Sequence, residues 1–402
     1  MIDEPGGELR SGPIRFRLRR RPVRPELVAI IVVLVIGSAA LWMSDFRLQR
    51  LLEQEQARLE GLSDLVADAD QGSFSRADFE AARAELEDVL TQTEARVRTL
   101  EAAAGARERI IAEAGRSVIF IQGSYGFIDP ASGRPLRYFY GQGDRPLRLP
   151  DGRTTVTTGG DGPLVQIFYT GTAFVVSDDG LLVTNRHVAF PWEFEDNAQF
   201  TLDAGFAAER LGFVGFLPGV EEPVELDAVV ASDAADVALL RLVQPDPATS
   251  SRAPVPIPPA LVIADVAPHL GDEVVLMGYP AGVEALLARA DPNFAEGLLA
   301  RGPVTFWEVG QALAVGGYIE PLYTQGIVGQ VTEAMIVYDA ETTSGGSGGP
   351  VVALDGTVVA VNTAVLGRFA GSNLGVPAHQ VRALLARHGL LVAAPRGGHQ
   401  LP

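Results

Sequence analysis

The sequence predicts a mainly β domain that follows an apolar segment and a long helical region. Residues 27–43 are apolar almost throughout, residues 44–115 repeat apolar side chains at spacings of three and four, and the repeat then changes towards a period of two. The first spacing is typical of amphipathic helices and the second of half-buried strands. We therefore expect five parts: an N-terminal segment (1–26), a membrane span (27–43), a helical stalk (44–115), a β domain (116–392) and a disordered tail (393–402).

The composition limits the functions that are open to the chain. Its 402 residues include 50 acidic and 32 basic side chains, and the formal net charge is −18. Nucleic-acid binding needs a basic surface, so we expect no nucleic-acid partner. The chain has no cysteine, which excludes disulfides and cysteine-based metal or redox sites. The histidines have no ligand-like spacing, so we expect neither a metal nor a cofactor.

An arginine cluster and the apolar segment after it predict a membrane anchor. Residues 14–25 contain six arginines, and the segment Leu27–Met43 follows. As a helix, this segment would reach ~25 Å, near the short limit for crossing a bilayer. The arginines favour a cytoplasmic N-terminus, so we expect a single-pass protein of the bacterial inner membrane whose remainder faces the periplasm or exterior. A cleaved signal peptide is the alternative, because residues 37–40 are small enough for a cleavage site.

The stalk has a heptad-like pattern that is interrupted once. Apolar residues fall at spacings of three and four on both sides of Gly72. Sustained heptads with charged flanks predict a coiled coil, through which the chain would form a homo-oligomer. The break at Gly72 leaves open a helical hairpin within one chain or a kinked rod between chains. A solvated amphipathic spacer is the alternative to both.

A glycine-rich loop contains the candidate nucleophile. Ser347 lies in the stretch Gly345–Pro350, between apolar runs at 335–338 and 351–354. Glycines allow a tight turn of the backbone, and a serine on such a turn can attack a carbonyl while neighbouring amides bind the oxyanion. A flexible Gly/Ser linker is the alternative. The loop therefore needs a base and an acid elsewhere in the chain.

The sequence also contains a candidate base and a candidate acid. His187 ends one apolar, strand-like run, and Asp236 begins another. The order His, Asp, Ser is one of the known orders of a catalytic triad, in which serine attacks, histidine transfers the proton and aspartate fixes the histidine tautomer. Asp233 is a rival to Asp236 for the acid. The joint pattern predicts His187 as base, Asp236 as orienting acid and Ser347 as nucleophile.

Several segments resemble trypsin-like serine proteases, and in particular the bacterial HtrA/Deg-type branch. The matching segments are 171–188, 236–242, 277–282, 342–352, 358–365 and 374–385. The resemblance extends over roughly residues 118–391 and implies two antiparallel six-stranded β-barrels with the active site between them. It also implies an oxyanion hole formed by the amides of Gly345 and Ser347, with protein or peptide substrates. Residues 283–299 have a helical pattern and predict an insertion near the active site. We expect no PDZ domain after the barrels.

Gly346 departs from the family pattern, in which Asp or Asn usually precedes the nucleophile. Because glycine has no side chain to fix the loop, we expect an oxyanion loop that is poorly ordered until a substrate or partner binds. The leading hypothesis is a membrane-anchored serine endopeptidase. The alternative is a protease-fold peptide-binding or scaffold protein with little or regulated turnover. An esterase is disfavoured, because the nucleophile loop continues as a strand rather than a helix.

The resemblance also gives candidate substrate-binding residues. They are Glu341, Thr342, Asn362, Thr363 and Ala364. An acidic Glu341 would favour a basic side chain in the substrate. Residues 338–349 also resemble glutamyl endopeptidases, which have the opposite preference, but the pocket histidine of those enzymes is absent from residues 361–364. The side-chain preference therefore stays open.

Overall fold

The computed structural model describes most of the chain after residue 107. The described residues are 83–84, 88, 91, 105, 108–140, 145–149, 154–248, 250, 253–300, 302–365 and 372–390. The predicted membrane span, nearly all of the predicted stalk and the tail lie outside them. The chain divides into two compact units, 1–95 and 96–402, and every feature below belongs to the second. Within the described residues, no helix has both the length and the apolar character needed to cross a bilayer.

The first six-stranded sheet closes into an antiparallel barrel. Its strands are β1 (Val118–Ile128), β4 (Ile167–Val175), β5 (Leu181–Thr184), β6 (Ala207–Phe216), β7 (Val224–Ala231) and β8 (Ala238–Leu242). Around the barrel they follow the order β1-β4-β5-β8-β7-β6. Two short strands, β2 (Arg137–Tyr138) and β3 (Val156–Thr157), pair with each other outside the barrel.

The second sheet closes in the same way and confirms the expected pair of six-stranded barrels. Its strands are β9 (Glu273–Gly278), β10 (Leu322–Val331), β11 (Ile336–Tyr338), β12 (Pro350–Ala353), β13 (Val358–Val365) and β14 (Asn373–Pro377). They follow the order β10-β11-β14-β13-β12-β9 around the barrel. Closing each sheet pairs its edge strands, which removes the unpaired edges that promote association.

Strand β1 shows how the sequence joins the two barrels. Its side chains alternate: Ile119 and Ile121 pack in the core of the first barrel, whereas Phe120 belongs to a larger core shared with the second. Both faces of the strand are therefore buried, which explains why residues 118–121 are apolar without interruption. Tyr279 packs against the same strand. Its ring lies 5.2 Å from that of Phe120, and its hydroxyl donates to Val118 O at 3.1 Å.

Short helices lie in connections between strands, and one more follows β14. They are α1 (Arg186–Ala189), α2 (Asp196–Asp203), α3 (Gly282–Arg289), α4 (Pro292–Leu299), α5 (Phe306–Val315) and α6 (Ala378–Arg387). The segment 283–299, predicted as a helical insertion, contains two helices. The second of these helices, α4, begins at Pro292, because proline suits the first turn of a helix and the Asp291 carboxylate accepts from two backbone amides of that turn.

Candidate active site

Two neighbouring strands bring His187 and Asp236 together. His187 lies in α1, which follows β5, and Asp236 lies just before β8; β5 and β8 pair in antiparallel register. His187 Nδ1 is 2.7 Å from Asp236 Oδ2. The backbone N–H of His187 donates to Asp236 Oδ1 at 3.0 Å. One carboxylate thus holds both the ring and the backbone of the candidate base.

The surroundings of Asp236 keep its carboxylate ionised. Burial by itself raises the pKa of Asp236, but the hydrogen bond and charge of His187, the Thr363 hydroxyl and the His187 backbone N–H outweigh it, so the pKa is lowered. Thr363 Oγ1 donates to Asp236 Oδ2. Because an ionised carboxylate only accepts hydrogen bonds, His187 Nδ1 must be the protonated ring nitrogen. Nε2 is then free to accept a proton.

Asp233, the rival acid, lies elsewhere. Its side chain is fully exposed and pairs with Arg186 Nη1 at 3.0 Å. The same guanidinium reaches Glu193 at 2.7 Å and the Ser232 carbonyl at 2.8 Å. Asp233 therefore helps to connect α1 with the loop before β8, and Asp236 is the acid that contacts His187.

Hydrogen bonds to its carbonyls hold the backbone of the nucleophile loop. Ser344 O accepts from the Ala281 N–H at 2.6 Å. Gly345 O accepts from Thr172 Oγ1 at 2.8 Å, and Ser347 O accepts from the Thr172 N–H at 2.8 Å. Ala281 has a φ of 54° and is the only non-glycine residue with positive φ in the described part of the chain. Such a conformation persists where neighbouring contacts enforce it.

Two amides of this loop remain available. Among the described residues, neither the Gly345 N–H nor the Ser347 N–H has a hydrogen-bond acceptor, whereas the Gly346 N–H between them donates to Thr343 O at 3.1 Å. Gly345 has a φ of 93°, which favours glycine at this position. Alternate free amides beside a serine are the arrangement that an oxyanion hole requires.

A side chain from outside the loop contacts it, although Gly346 itself has none. Asn362 Nδ2 donates to Gly346 O at 2.8 Å, so a side chain from β13 holds the loop instead of one at position 346. A Cβ atom at Gly346 would collide with Thr342 Oγ1. A larger residue at position 346 would therefore have to displace the Thr342 side chain.

The Ser347 hydroxyl does not contact the candidate base. Its Oγ donates to Thr363 O at 3.2 Å, and in the described part of the chain it makes no hydrogen bond with His187. Proton transfer to His187 Nε2 thus requires the hydroxyl to leave Thr363. Thr363 contacts both ends of the candidate triad, through its carbonyl and through its hydroxyl.

The five candidate substrate-binding residues do not all face an open surface. Glu341 is exposed, and its backbone carbonyl accepts from Thr324 Oγ1 at 2.7 Å. Asn362 is only 1% exposed, and its amide is bonded to the loop. The Thr363 hydroxyl is likewise engaged, while Ala364 lies on β13.

Sequence reasoning missed several residues that shape the site. Thr172 and Tyr338 are buried inside the fold, whereas Ala281 is exposed. Only the resemblance of 171–188 and 277–282 pointed to Thr172 and Ala281. Phe194 is half exposed, and its ring lies 6.0 Å from the His187 ring in an edge-on arrangement. Within the described residues, no cluster of three acidic or histidine side chains suits a metal ion.

Two barrels with this site between them define a class of protein. The model of the trypsin-like peptidase domain matches residues 171–361. Over these residues the chain is therefore similar to trypsin-like peptidase domains.

Curated relatives lie among the proteases of magnetosome formation and the HtrA proteases. The magnetosome formation protease MamE of Magnetospirillum gryphiswaldense is 28% identical over 216 residues, which is 53% of this chain and 21% of the relative. Serine protease HTRA1B of Danio rerio is 28% identical over 219 residues, covering 54% and 34%. Mitochondrial HTRA2 of Bos taurus is 27% identical, covering 54% and 36%. The match thus spans well under half of each relative.

Solved structures similar to this chain are also proteases. The active form of the Rv3671c protease from M. tuberculosis is 19% identical with a TM-score of 0.40, covering 73% of this chain and 90% of the other. The serine endoprotease from Yersinia pestis is 17% identical with a TM-score of 0.38, covering 70% and 67%.

Proposed function

We propose that the chain is a serine endopeptidase that cleaves peptide bonds with His187, Asp236 and Ser347. The observation that carries this proposal is the 2.7 Å contact between His187 Nδ1 and Asp236 Oδ2, together with the two free amides on the nucleophile loop. The contact prepares a base, and the amides offer a site for a developing negative charge. Proteins or peptides are the proposed substrates.

The geometry supports a two-stage reaction. Ser347 Oγ leaves Thr363 O, gives its proton to His187 Nε2 and attacks the scissile carbonyl, while the Gly345 and Ser347 amides bind the oxyanion. His187 then gives that proton to the leaving amine, and an acyl-enzyme remains. Water repeats the sequence with the same base and releases the acid. Asp236 stays ionised throughout and stabilises the imidazolium.

A fluorophosphonate probe tests this function, because it reacts with a serine that its neighbours have activated. We expect labelling of the wild-type chain and none of Ser347→Ala, with both proteins folded by circular dichroism. Absence of labelling in the wild type, including protein extracted by detergent from native membranes, would instead support the peptide-binding or scaffold alternative. The contact of Ser347 Oγ with Thr363 O is the observation that favours that alternative.

We further propose that Leu27–Met43 anchors the chain in the bacterial inner membrane, with the peptidase domain in the periplasm or exterior. The six arginines before this segment support that orientation. The heptad pattern of residues 44–115 supports a homo-oligomer. A bacterial alkaline phosphatase fused after residue 115 folds only outside the cytoplasm, because it needs disulfides. An active fusion is the expected result, and an inactive fusion expressed at the same level would contradict the orientation.

A further inference from the structure

We propose that Asn362 is a positioning residue that holds the oxyanion hole open by fixing the peptide between Gly346 and Ser347. The inference rests on the proposed function of Ser347. It gives Asn362 a role inside the fold, in place of the contact with substrate that the resemblance implied.

All four polar groups of Asn362 are engaged, three of them with the nucleophile loop. Nδ2 donates to Gly346 O at 2.8 Å. The backbone N–H donates to Gly349 O at 2.9 Å, and the backbone carbonyl accepts from the Gly348 N–H at 2.8 Å. Oδ1 accepts from the Tyr338 hydroxyl at 2.6 Å. The bond to Gly346 is thus one of three on this loop, and the only one made by the side chain.

The planarity of the peptide bond turns this contact into control of the oxyanion hole. In a trans peptide the C=O and the following N–H point in opposite directions. Because Asn362 holds Gly346 O, the Ser347 N–H points away from Asn362. The Ser344 carbonyl, held by the Ala281 N–H, directs the Gly345 N–H by the same rule. Each free amide therefore belongs to a peptide whose carbonyl is fixed on the opposite side.

Only one orientation of the Asn362 amide satisfies its neighbours. If the amide were turned over, Oδ1 would face Gly346 O, and two acceptors would meet. Tyr338 supports the observed orientation, because its hydroxyl can donate to Oδ1. Burial raises the pKa of Tyr338 well above its usual value, so the hydroxyl keeps its proton. A buried acceptor that loses its donor is costly, which makes the pair Tyr338–Asn362 a rigid support.

The loop depends on this support because position 346 cannot supply its own. Gly346 has no side chain, and Thr342 Oγ1 occupies the space where a Cβ would lie. Without the Asn362 amide, the Gly349 N–H at 3.1 Å is the one donor to Gly346 O that remains among the described residues. Turning the peptide over would then point Gly346 O towards the oxyanion and remove the Ser347 N–H from it.

The experiment compares Asn362→Leu with Asn373→Leu in the full-length chain. Asn373 is a matched control, because it is 3% exposed, lies on the neighbouring strand β14 and donates through Nδ2 to the Ala340 carbonyl. Both variants lose a buried amide of similar size, but only one loses a bond to the nucleophile loop. The measurements are the melting temperature, the rate of fluorophosphonate labelling, and the apparent kcat and KM on fluorescent casein at a temperature where every variant is folded.

We expect Asn362→Leu to lower both the labelling rate and kcat by about 100- to 1,000-fold, the effect of losing one oxyanion donor, with KM changed less than about threefold. Asn373→Leu lowers the melting temperature but keeps both rates within about threefold of the wild type. Tyr338→Phe keeps the Gly346 contact and loses less than Asn362→Leu. Equal losses in the two Leu variants, or a wild-type rate in Asn362→Leu, overturn the proposal.

A crystal structure of Asn362→Leu tests the inference without any activity. The Gly346–Ser347 peptide should be turned, with Gly346 O where the Ser347 N–H pointed before. An unchanged peptide refutes the role of Asn362, even if the wild type is an active protease. An unlabelled wild type together with a turned peptide in the variant would refute the proposed function alone.

Discussion

Replacing Asp236 by asparagine is the smallest change that separates the proposed triad from its surroundings. The carboxylate uses both oxygens as acceptors: Oδ2 for His187 Nδ1 and the Thr363 hydroxyl, and Oδ1 for the His187 backbone N–H. Asparagine keeps one oxygen and gains two N–H donors. In either orientation of the amide, a donor replaces an acceptor that the native contacts need.

The size of the effect follows from the histidine tautomer. If the new amide faces His187 Nδ1, that nitrogen has to accept, so the proton moves to Nε2 and the base can no longer take one from Ser347. If the amide faces the backbone N–H of His187, two donors meet and α1 has to move. The loss of the correct tautomer lowers kcat by about 10⁴-fold in serine proteases, or about 5 kcal/mol in the barrier.

Asp233→Asn is the matched control for this change. Asp233 forms an exposed ion pair with Arg186, and such pairs contribute less than about 1 kcal/mol. We expect its labelling rate to stay within about fivefold of the wild type. The assay is the second-order rate of fluorophosphonate labelling, with folding checked by circular dichroism. Equal losses in Asp233→Asn and Asp236→Asn would refute the assignment of the acid.

Two further predictions concern the same loop and the same carboxylate. Gly346→Ala should slow labelling by at least about tenfold, because the new Cβ meets Thr342 Oγ1. Gly329→Ala is the control and should label at the wild-type rate, because its Cβ would lie 3.8 Å from its nearest neighbour. Faster labelling of Gly346→Ala would show instead that the native loop is under-constrained. The pKa of Asp236 is lower in the folded chain than the unfolded value of about 3.9, so the stability it gives is fully present above that pH and is lost as the pH falls through the folded pKa. In denaturant titrations from about pH 6 to about pH 3, the wild type should therefore lose more free energy of unfolding than Asp236→Asn, and an equal loss would contradict the pKa direction.

The features that follow from local patterns could be predicted from the sequence. Strands with alternating or uninterrupted apolar residues gave the β domain, and the resemblance extended it to two barrels. His187, Asp236 and Ser347 were recognisable because each adjoins a strand in a known order. The contact between His187 and Asp236 depends on pairing between β5 and β8, and the resemblance, rather than periodicity, supplied that step.

Features that depend on contacts distant in sequence could not be predicted. The pattern showed that Gly346 lacks a side chain, but not that Asn362 holds its carbonyl or that Thr342 excludes a Cβ. The resemblance identified Asn362 as a candidate for substrate binding, but it gave no sign of the contact with Gly346. Helix α5 was also not predicted. Its start is marked by a capping box between Thr305 and Glu308, and two residues are a weak signal in a sequence.

Cleavage of a protein substrate tests the central claim most directly, because labelling alone shows only a reactive serine. The measurement is the release of peptides from fluorescent casein by the full-length wild type and by Ser347→Ala at equal concentration. The account predicts internal cleavage by the wild type and a loss of at least about 10³-fold in the variant. Equal cleavage by both proteins would assign the activity to another group or a contaminant, and no cleavage by a wild type that the probe labels would contradict the endopeptidase.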